Sequence, residues 1–274
     1  MNLHLGKESQ YLSQYDKNLL ESIPRKSARD DIGIKNAEEC FSGYDLWNCY
    51  EFSWLNQNGK PEVRIIKFEV SCQSEFIVES KSVKLYLNSF HNTRFKDEKE
   101  ILTLLTSDLN EYTKSIVNIE IFHLNHFAGN QLHIFPGICL DEIDIETDIY
   151  HVDSSLLKLS NENITVEEEL YSNLLKSNCL VTKQPDWASI YIKYKGVKID
   201  HNHLLKYIIS FRNHNEFHEQ CIEHIYKDII EICSPEELFI YAKYTRRGGI
   251  DINPYRTNMR HSNILINKLR DIRQ

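Results

Sequence analysis

The 274-residue chain has little glycine and proline and no long hydrophobic run, and each absence excludes a class of protein. With only 6 prolines and 9 glycines, and without a low-complexity tract, the composition does not indicate a disordered chain. No apolar run approaches the ~18 residues that a membrane-spanning helix needs. The N-terminus is polar and lacks the apolar core of a signal peptide. We therefore expect a soluble, cytoplasmic protein without a membrane partner.

Acidic residues outnumber basic ones, 40 to 32, and the cysteines form no recognisable framework. The formal net charge of −8 argues against a broad nucleic-acid surface, which needs clustered basic residues. The seven cysteines are an odd and scattered set without a secretory signal, so a disulfide framework is not expected. No C-x-x-C pair suggests a structural zinc site. Cys221 and Cys233 occupy apolar positions of a helical pattern, where a cysteine usually packs as a small hydrophobic residue.

The hydrophobic residues, 41% of the chain, follow the same order of patterns in two halves. The first half contains a hairpin over residues 50–72 that turns at Asn58-Gly59, then a strand-like segment, a helix and a strand. The second half contains a hairpin arm, an apolar segment, a helix whose buried face is predicted to include Phe217, Cys221, Ile225, Ile229 and Ile232, and a strand. The matching segments are 82–90 with 203–211, 96–115 with 215–233, and 117–124 with 237–245. A tandem duplication of one α+β unit, joined by an acidic linker around residues 140–165, is the simplest explanation.

The stretch "LLKSNCLVTKQPDW" places Cys179 just after a hydrophobic run and Asp186 seven positions later. Three roles are open for Cys179: a buried packing residue, a metal ligand, or a nucleophile with an acid beside it. The matching position of the first half is Asn58, so the repeat has no second sulfur here. Because each half carries polar residues that its counterpart lacks, we expect one composite site that draws on both halves.

Two further stretches each have a structural and a functional interpretation. The stretch "ESKSVKLY", 79–86, either opens a strand with solvated charges or supplies a carboxylate for a nitrogen-rich ligand and donors for phosphate. In "SFRNHNEFHEQC", His214 and His218 are four residues apart, which makes a helical metal pair conceivable. A helix that begins near Asn215 would contain only His218, however, and a ligand-binding role for Glu219 fits the same pattern.

The stretch "YTRRGGIDINPY", 244–255, ends a strand with two arginines and two glycines. Glycines let the backbone approach a ligand closely, and guanidinium groups match phosphate oxygens. The alternative is a glycine turn with a surface arginine pair. The spacing is not G-x-G-x-x-G, so the sequence does not predict a Rossmann dinucleotide site.

Together, "ESKSVKLY", "SNCLVTKQPDWASIYI", "SFRNHNEFHEQC" and "YTRRGGIDINPY" resemble the motifs of one family, the NADPH-dependent nitrile reductases of queuosine biosynthesis. Members of this family convert 7-cyano-7-deazaguanine to 7-aminomethyl-7-deazaguanine. The resemblance covers nearly the whole chain and shows no departure at a motif position. The opening segment, residues 5–25, resembles the start of the long, two-module form of the family.

The resemblance implies an α+β fold of two tandem tunnelling-fold (T-fold) modules, with antiparallel sheets backed by helices. We place the modules at residues 1–145, which carry "ESKSVKLY", and at residues 146–274, which carry the cysteine and the aspartate. The resemblance also implies a homodimer, a small-molecule substrate, no direct nucleic-acid partner and catalysis without a metal.

The resemblance also assigns roles by position in the motifs. It makes Cys179 the nucleophile and Asp186 the proton donor. The implied substrate contacts are Val78, Glu79, Ser80, His218 and Glu219. The implied contacts to the cofactor NADPH are Ser80, Lys81, Arg247 and Gly248.

The implied chemistry suits these residue types. A thiolate is the side-chain nucleophile best suited to the electrophilic carbon of a nitrile. Its attack gives a covalent thioimidate, whose developing nitrogen anion takes a proton that Asp186 can supply. Two hydride transfers, each from one NADPH, then give the amine.

Three competing functions stay open at this point. A pterin- or purine-processing cyclohydrolase on the same fold would need a zinc site, for which Cys179 lacks a convincing set of partners. A thiol hydrolase that converts nitriles to amides or acids would have no use for the Arg247-Gly248 segment. A binding module for a deazapurine or nucleotide would leave Cys179 merely packed.

Overall fold

The computed structural model describes residues 12–127, 132–259 and 270–274, so residues 5–11 of the opening segment lie outside the described ranges. The helices are α1 (Arg25–Asp31), α2 (Ala37–Cys40), α3 (Ser80–Ser89), α4 (Glu98–Thr113), α5 (His201–Ser210) and α6 (His218–Cys233), with short 3-10 helices at Lys17–Leu19, Leu124–Phe127, Ser154–Leu156 and Phe211–Asn213. The strands are β1 (Ser22–Pro24), β2 (Tyr44–Leu55), β3 (Pro61–Ser71), β4 (Phe76–Val78), β5 (Val117–Phe122), β6 (Ile138–Cys139), β7 (Thr165–Asn178), β8 (Pro185–Val197), β9 (Glu237–Tyr244) and β10 (Ile250–Thr257). Among the helices of these ranges, none has the length and apolar character that crossing a membrane requires.

The chain forms a mixed α+β structure that divides into two compact units, each discontinuous in sequence. The first contains the described residues within Met1–Ala28, Tyr44–Asn130 and Arg246–Ile252; the second contains those within Arg29–Gly43, Gln131–Thr245 and Asn253–Gln274. The module boundary that we predict between residues 145 and 146 stays a prediction.

The first unit is built on the antiparallel hairpin of β2 and β3, to which β5 adds a third antiparallel strand. This confirms the predicted hairpin, and its Asn-Gly turn places Gly59 at φ +83°, a backbone conformation that favours glycine. The β2–β3 register shifts between Cys49 and Phe52, as in a β-bulge. On the buried face Trp47 and Phe68 stack with ring centroids 5.1 Å apart. The core of this unit also takes in the apolar faces of α3 and α4.

The segment 82–90, which the sequence predicts to be strand-like, is instead most of helix α3. Its apolar residues fit the spacing of a strand and that of a helix. Val83, Leu85 and Leu87 alternate as in a strand, whereas Val83, Tyr86 and Leu87 lie on one helical face. The cap decides in favour of the helix, because the Glu79 carboxylate accepts hydrogen bonds from the backbone N–H groups of Lys81 and Ser82. The strand prediction was therefore wrong.

The second unit contains the long hairpin of β7 and β8, extended on one side by β9 and then β10 and on the other by β6. All of these pairs are antiparallel except β6 with β7. Helix α6 buries Cys221, Ile225 and Ile229 as predicted. Ile232, predicted on the same face, is 44% exposed because the buried row of every fourth residue continues to Cys233 instead.

The two units share an internal order of elements. In the first, the β2–β3 hairpin is followed by the 10-residue α3, the 16-residue α4 and β5. In the second, the β7–β8 hairpin is followed by the 10-residue α5, the 16-residue α6 and β9. A buried tyrosine on the shorter helix donates a hydrogen bond to an aspartate on the longer helix in both, from Tyr86 to Asp108 at 2.6 Å and from Tyr207 to Asp228 at 2.7 Å.

Candidate active site

Cys179 lies at the tip of the β7–β8 hairpin, immediately after the last residue of β7. Its backbone N–H donates to the carbonyl of Gln184 at 2.8 Å, and its carbonyl accepts from the N–H of Lys183 at 3.0 Å. These two bonds close the short loop between the strands and hold its backbone in place. The cysteine side chain is buried, with 6% of the residue exposed. The structure thus fixes the position of the predicted nucleophile through its backbone.

Asp186 is the second residue of β8 and lies opposite Ser177 in the hairpin register, so it is on the same hairpin as Cys179. Its carboxylate Oδ2 is 3.4 Å from Nε2 of His218, the first residue of α6. The ring of His218 in turn stacks face to face on Tyr244, with centroids 3.8 Å apart and an interplanar angle of 8°. The structure therefore brings the predicted acid beside a predicted substrate contact.

A short backbone pairing joins the cysteine hairpin to the segment that enters α6. The N–H of Asn178 donates to the carbonyl of His214 at 2.8 Å, and the N–H of Glu216 donates to the carbonyl of Asn178 at 3.1 Å. The residue before Cys179 is thus tied to the residues that lead into His218 and Glu219. Glu219 is buried in the first turn of α6, where the helix dipole favours a carboxylate.

Tyr244, the last residue of β9, is a residue of this site that the sequence analysis missed as a contact of His218. Burial raises the pKa of its hydroxyl well above the ordinary value, and the neighbouring Cys221 thiol adds to the shift. Its hydroxyl is therefore neutral at physiological pH and has the Cys221 thiol as its neighbour. Its stacking on His218 depends on where β9 ends relative to α6, which a linear pattern does not give.

In the first unit, four predicted contacts occupy the junction of β4 and α3. Val78 is the last residue of β4, Glu79 is the N-cap of α3, and Ser80 and Lys81 begin the helix. Burial raises the pKa of Glu79, although the hydrogen bonds that it accepts from the backbone of α3 act in the opposite direction. Glu79 therefore has a structural role as a cap, in addition to any contact with a ligand.

The Arg247-Gly248 segment of the first unit forms a tight turn between Arg247 and Ile250. Gly248 and Gly249 both adopt positive φ, +60° and +77°, as a two-residue hairpin turn requires. The turn lies against α3, because a Cβ on Gly248 would be 2.7 Å from the Lys84 ammonium nitrogen. The guanidinium of Arg246 lies 4.6 Å from the centre of the Tyr50 ring. Basic side chains and glycine backbone thus occur together here, a combination that suits phosphate groups, although the Glu51 carboxylate, 3.8 Å from Lys84 Nζ, offsets part of the positive charge.

The metal pair that we considered from the sequence, His214 with His218, is not the group that the structure brings together. His218 faces Asp186, whereas Nε2 of His214 lies 2.9 Å from Glu216 Oε2. Within the described ranges, the donor set close enough to hold an ion consists of His214, Glu216 and His224. As expected, the helix begins late enough that only His218 of the considered pair lies inside it.

Comparison with known proteins gives consistent matches along the chain. A family model described as "Nitrile reductase, 7-cyano-7-deazaguanine-reductase N-term" matches residues 11–121, and one described as "QueF-like protein" matches residues 185–263. Three relatives bear the name NADPH-dependent 7-cyano-7-deazaguanine reductase. The protein from Legionella pneumophila (strain Lens) is 50% identical over 92% of this chain and 88% of its own length. That from Cupriavidus metallidurans is 50% identical over 93% and 92%, and that from Colwellia psychrerythraea is 49% identical over 93% and 91%.

Among solved structures, the crystal structure of the archaeosine synthase QueF-Like in the apo form matches 34% of this chain and 91% of its own, at 15% identity and a TM-score of 0.30. The sequence matches extend over more than nine-tenths of the chain at about half identity. The chain belongs to the family of NADPH-dependent 7-cyano-7-deazaguanine reductases.

Proposed function

We propose that this chain reduces the nitrile of 7-cyano-7-deazaguanine to the aminomethyl group with NADPH, in queuosine biosynthesis. The observation that carries the proposal is the β7–β8 hairpin, which holds Cys179 at its tip and Asp186 beside His218. The family membership of the chain supports the substrate and the cofactor.

The first step follows from the chemistry of the two hairpin residues. The Cys179 sulfur adds to the nitrile carbon, so that a carbon–sulfur bond forms while one π bond of the nitrile breaks. The electron pair moves to the nitrogen, which takes a proton from Asp186 and leaves a thioimidate bound to the cysteine. The burial of both side chains limits the access of water, which would otherwise hydrolyse this intermediate.

The reduction then needs two hydrides, which NADPH supplies when it is bound. The chain provides for such a cofactor in the first unit, where Lys84 and Arg246 lie at the Gly248-Gly249 turn and present positive charge for phosphate groups. Ser80 and Lys81 begin the helix that contacts this turn, and we assign them and Arg247 to cofactor binding with Gly248. With the first hydride on carbon and a solvent proton on nitrogen, the thioimidate would become a thiohemiaminal. Its carbon–sulfur bond would then break as an N–H proton passes to the sulfur, which leaves the Cys179 thiol and an imine. The second hydride and a second solvent proton would give the amine.

The carboxylates of Glu79 and Glu219 would accept hydrogen bonds from the N–H groups of the purine-like ring, a pairing that carboxylates make well. Glu79 already accepts bonds from two backbone N–H groups of α3, at 2.9 and 2.7 Å. Each carboxylate oxygen accepts more than one hydrogen bond, so capacity for a ligand is left. His218 and the backbone around Val78 and Ser80 complete the proposed set of substrate contacts.

We also propose that the chain consists of two tandem T-fold modules, residues 1–145 and 146–274, that it forms a homodimer, and that it acts in the cytoplasm. The shared order of hairpin, 10-residue helix, 16-residue helix and strand supports the tandem arrangement. The matching tyrosine–aspartate bonds within the two helix pairs support it independently, because they tie equivalent elements by equivalent side chains.

The test is an assay of NADPH absorbance with the cyano substrate, run on the wild-type chain and on C179A and D186N. We expect two NADPH molecules to be consumed per amine formed, and no turnover with C179A. Mass spectrometry of the wild-type chain mixed with substrate alone should show a covalent adduct that is absent from C179A. Turnover by C179A at a rate near that of wild type would refute the proposal. Formation of an amide without loss of NADPH would instead indicate a thiol hydrolase.

A further inference from the structure

A second cluster of chemically capable side chains lies in the second unit, outside the residues assigned to the reaction. His214 and Glu216 lie on the segment between the Phe211–Asn213 turn and α6, and His224 lies in the second turn of α6. The donor atoms of the three side chains are within 4.8 Å of one another. Glu216 Oε2 is 2.9 Å from His214 Nε2 and 3.6 Å from His224 Nδ1.

We propose that His214, Glu216 and His224 form a binding site for a transition-metal dication, with Zn²⁺ as the ion of best fit. Two imidazoles and one carboxylate are a donor set that binds zinc in proteins with a fourth position open to water. Bond lengths of about 2.0–2.2 Å place neighbouring ligands of a tetrahedral ion roughly 3.3–3.6 Å apart. The separations of Glu216 from the two histidines, 2.9 and 3.6 Å, lie on either side of this value, and the third pair of donor atoms lies within 4.8 Å.

His224 supplies an independent reason to expect an ion. Its Nδ1 is buried and has no hydrogen-bond partner among the described residues, and it faces Glu216 at a distance too long for a good hydrogen bond. Its Nε2 faces the carboxylate of Asp228 at 3.7 Å, one turn further along α6. Asp228 is held in turn by the Tyr207 hydroxyl at 2.7 Å. A metal-bound histidine commonly has such a carboxylate on its other ring nitrogen, which fixes the ring and raises its basicity.

The surroundings of the cluster also suit a bound cation. The ring of Phe211, which is fully buried, lies 5.7 Å from the His214 ring and 5.6 Å from the His224 ring, and so forms an apolar wall.

The position of the cluster indicates a structural role for the ion. His214 and Glu216 are the residues whose backbone groups bond to Asn178, the neighbour of Cys179. An ion that joins them to His224 on α6 would brace this segment against the helix. Such binding does not depend on the proposed nitrile reduction and takes no part in its chemical steps.

The test uses the full chain, freed of metal by dialysis against a chelator, and Zn²⁺ alone as the probe. We expect calorimetric titration to show one strongly bound Zn²⁺ per chain and the melting temperature to rise on binding. The variants H214Q and H224Q should lose this binding, and D228N should weaken it roughly 10- to 100-fold. The matched control is H201Q, because His201 also pairs with a carboxylate, Glu168 at 3.1 Å, but lies outside the cluster.

Co²⁺ in place of Zn²⁺ gives a spectroscopic readout that does not depend on any variant folding. We expect visible absorption bands of four- or five-coordinate cobalt, without the near-ultraviolet charge-transfer band of a cobalt–thiolate bond. That band would instead place the ion on a cysteine and overturn the proposal. The absence of stoichiometric Zn²⁺ binding by the wild-type chain would overturn it too, as would unchanged binding by folded H214Q and H224Q.

Discussion

The stacking of His218 on Tyr244 predicts that Tyr244 positions the histidine for substrate, and the variant Y244L tests this directly. The rings are nearly parallel, with centroids 3.8 Å apart, and Tyr244 is fully buried at the end of β9. Leucine keeps an apolar side chain at this position but removes the flat surface against which His218 rests. The histidine would then be held beside Asp186 by the rest of its surroundings alone.

An aromatic pair contributes about 0.5–1.5 kcal/mol beyond the area it buries. If Y244L removes this contribution to the orientation of His218, kcat/KM for the cyano substrate should fall roughly 2- to 13-fold, because 1.36 kcal/mol corresponds to a factor of ten. The loss should appear mainly in KM, since His218 is proposed to contact the substrate and not to carry out the chemical steps.

The control is Y244F, which keeps the ring and removes only the hydroxyl, whose neighbour is the Cys221 thiol. We expect Y244F to retain kcat/KM within about twofold, and melting temperatures to show that both variants are folded. Steady-state kinetics at saturating NADPH measures the difference. The reasoning is refuted if Y244L keeps the wild-type KM, or if Y244F loses as much as Y244L, which would assign the effect to the hydroxyl.

Three further predictions follow from single contacts. E223Q should lower stability by about 3–5 kcal/mol, because it removes a buried charge that pairs with both Arg256 and Arg29. The melting temperature should fall by roughly 6–20 °C, and an unchanged melting temperature would contradict this. KM for the cyano substrate should rise as pH falls through the raised pKa of Glu79, because only the carboxylate accepts both purine N–H bonds, and E79Q should lose this pH dependence. G248A should raise KM for NADPH about fivefold or more, since φ +60° disfavours a side chain; G59A, at φ +83° in the β2–β3 turn, is the control and should leave that KM unchanged.

Elements whose apolar residues follow one spacing, either the alternation of a strand or the spacing of a helix face, could be predicted from the sequence. Elements whose apolar residues fit both spacings could not. The hairpin around Gly59 and the long helix α4 follow from a strong turn signal and from apolar residues at helical spacing. Helix α3 was misassigned because its apolar residues fit alternation as well as a helical face. The residue that resolves this, Glu79, is not of the usual capping types, so the sequence did not mark the start of a helix.

The residues of the candidate site could also be predicted only in part from the sequence. The spacing of seven residues between Cys179 and Asp186 is compatible with a short loop between paired strands, and the structure places both residues on the β7–β8 hairpin. Tyr244 was missed because its contact with His218 depends on sheet register and on the docking of α6, both set by tertiary packing. His224 was missed for the same reason: it meets His214 only because the chain between them turns into a helix.

The backbone pairing at Asn178 connects the two proposals made for the second unit. Its main-chain groups bond to His214 and Glu216, and its side-chain amide also donates to the His214 carbonyl at 3.2 Å. The same segment sets the start of α6, and with it the position of His218 relative to Asp186. An ion held by His214, Glu216 and His224 would therefore restrain the cysteine hairpin and the substrate-binding end of α6 together. Because it would act on positioning and not on bond making, its removal should raise KM for the cyano substrate while leaving the stoichiometry of two NADPH per amine unchanged.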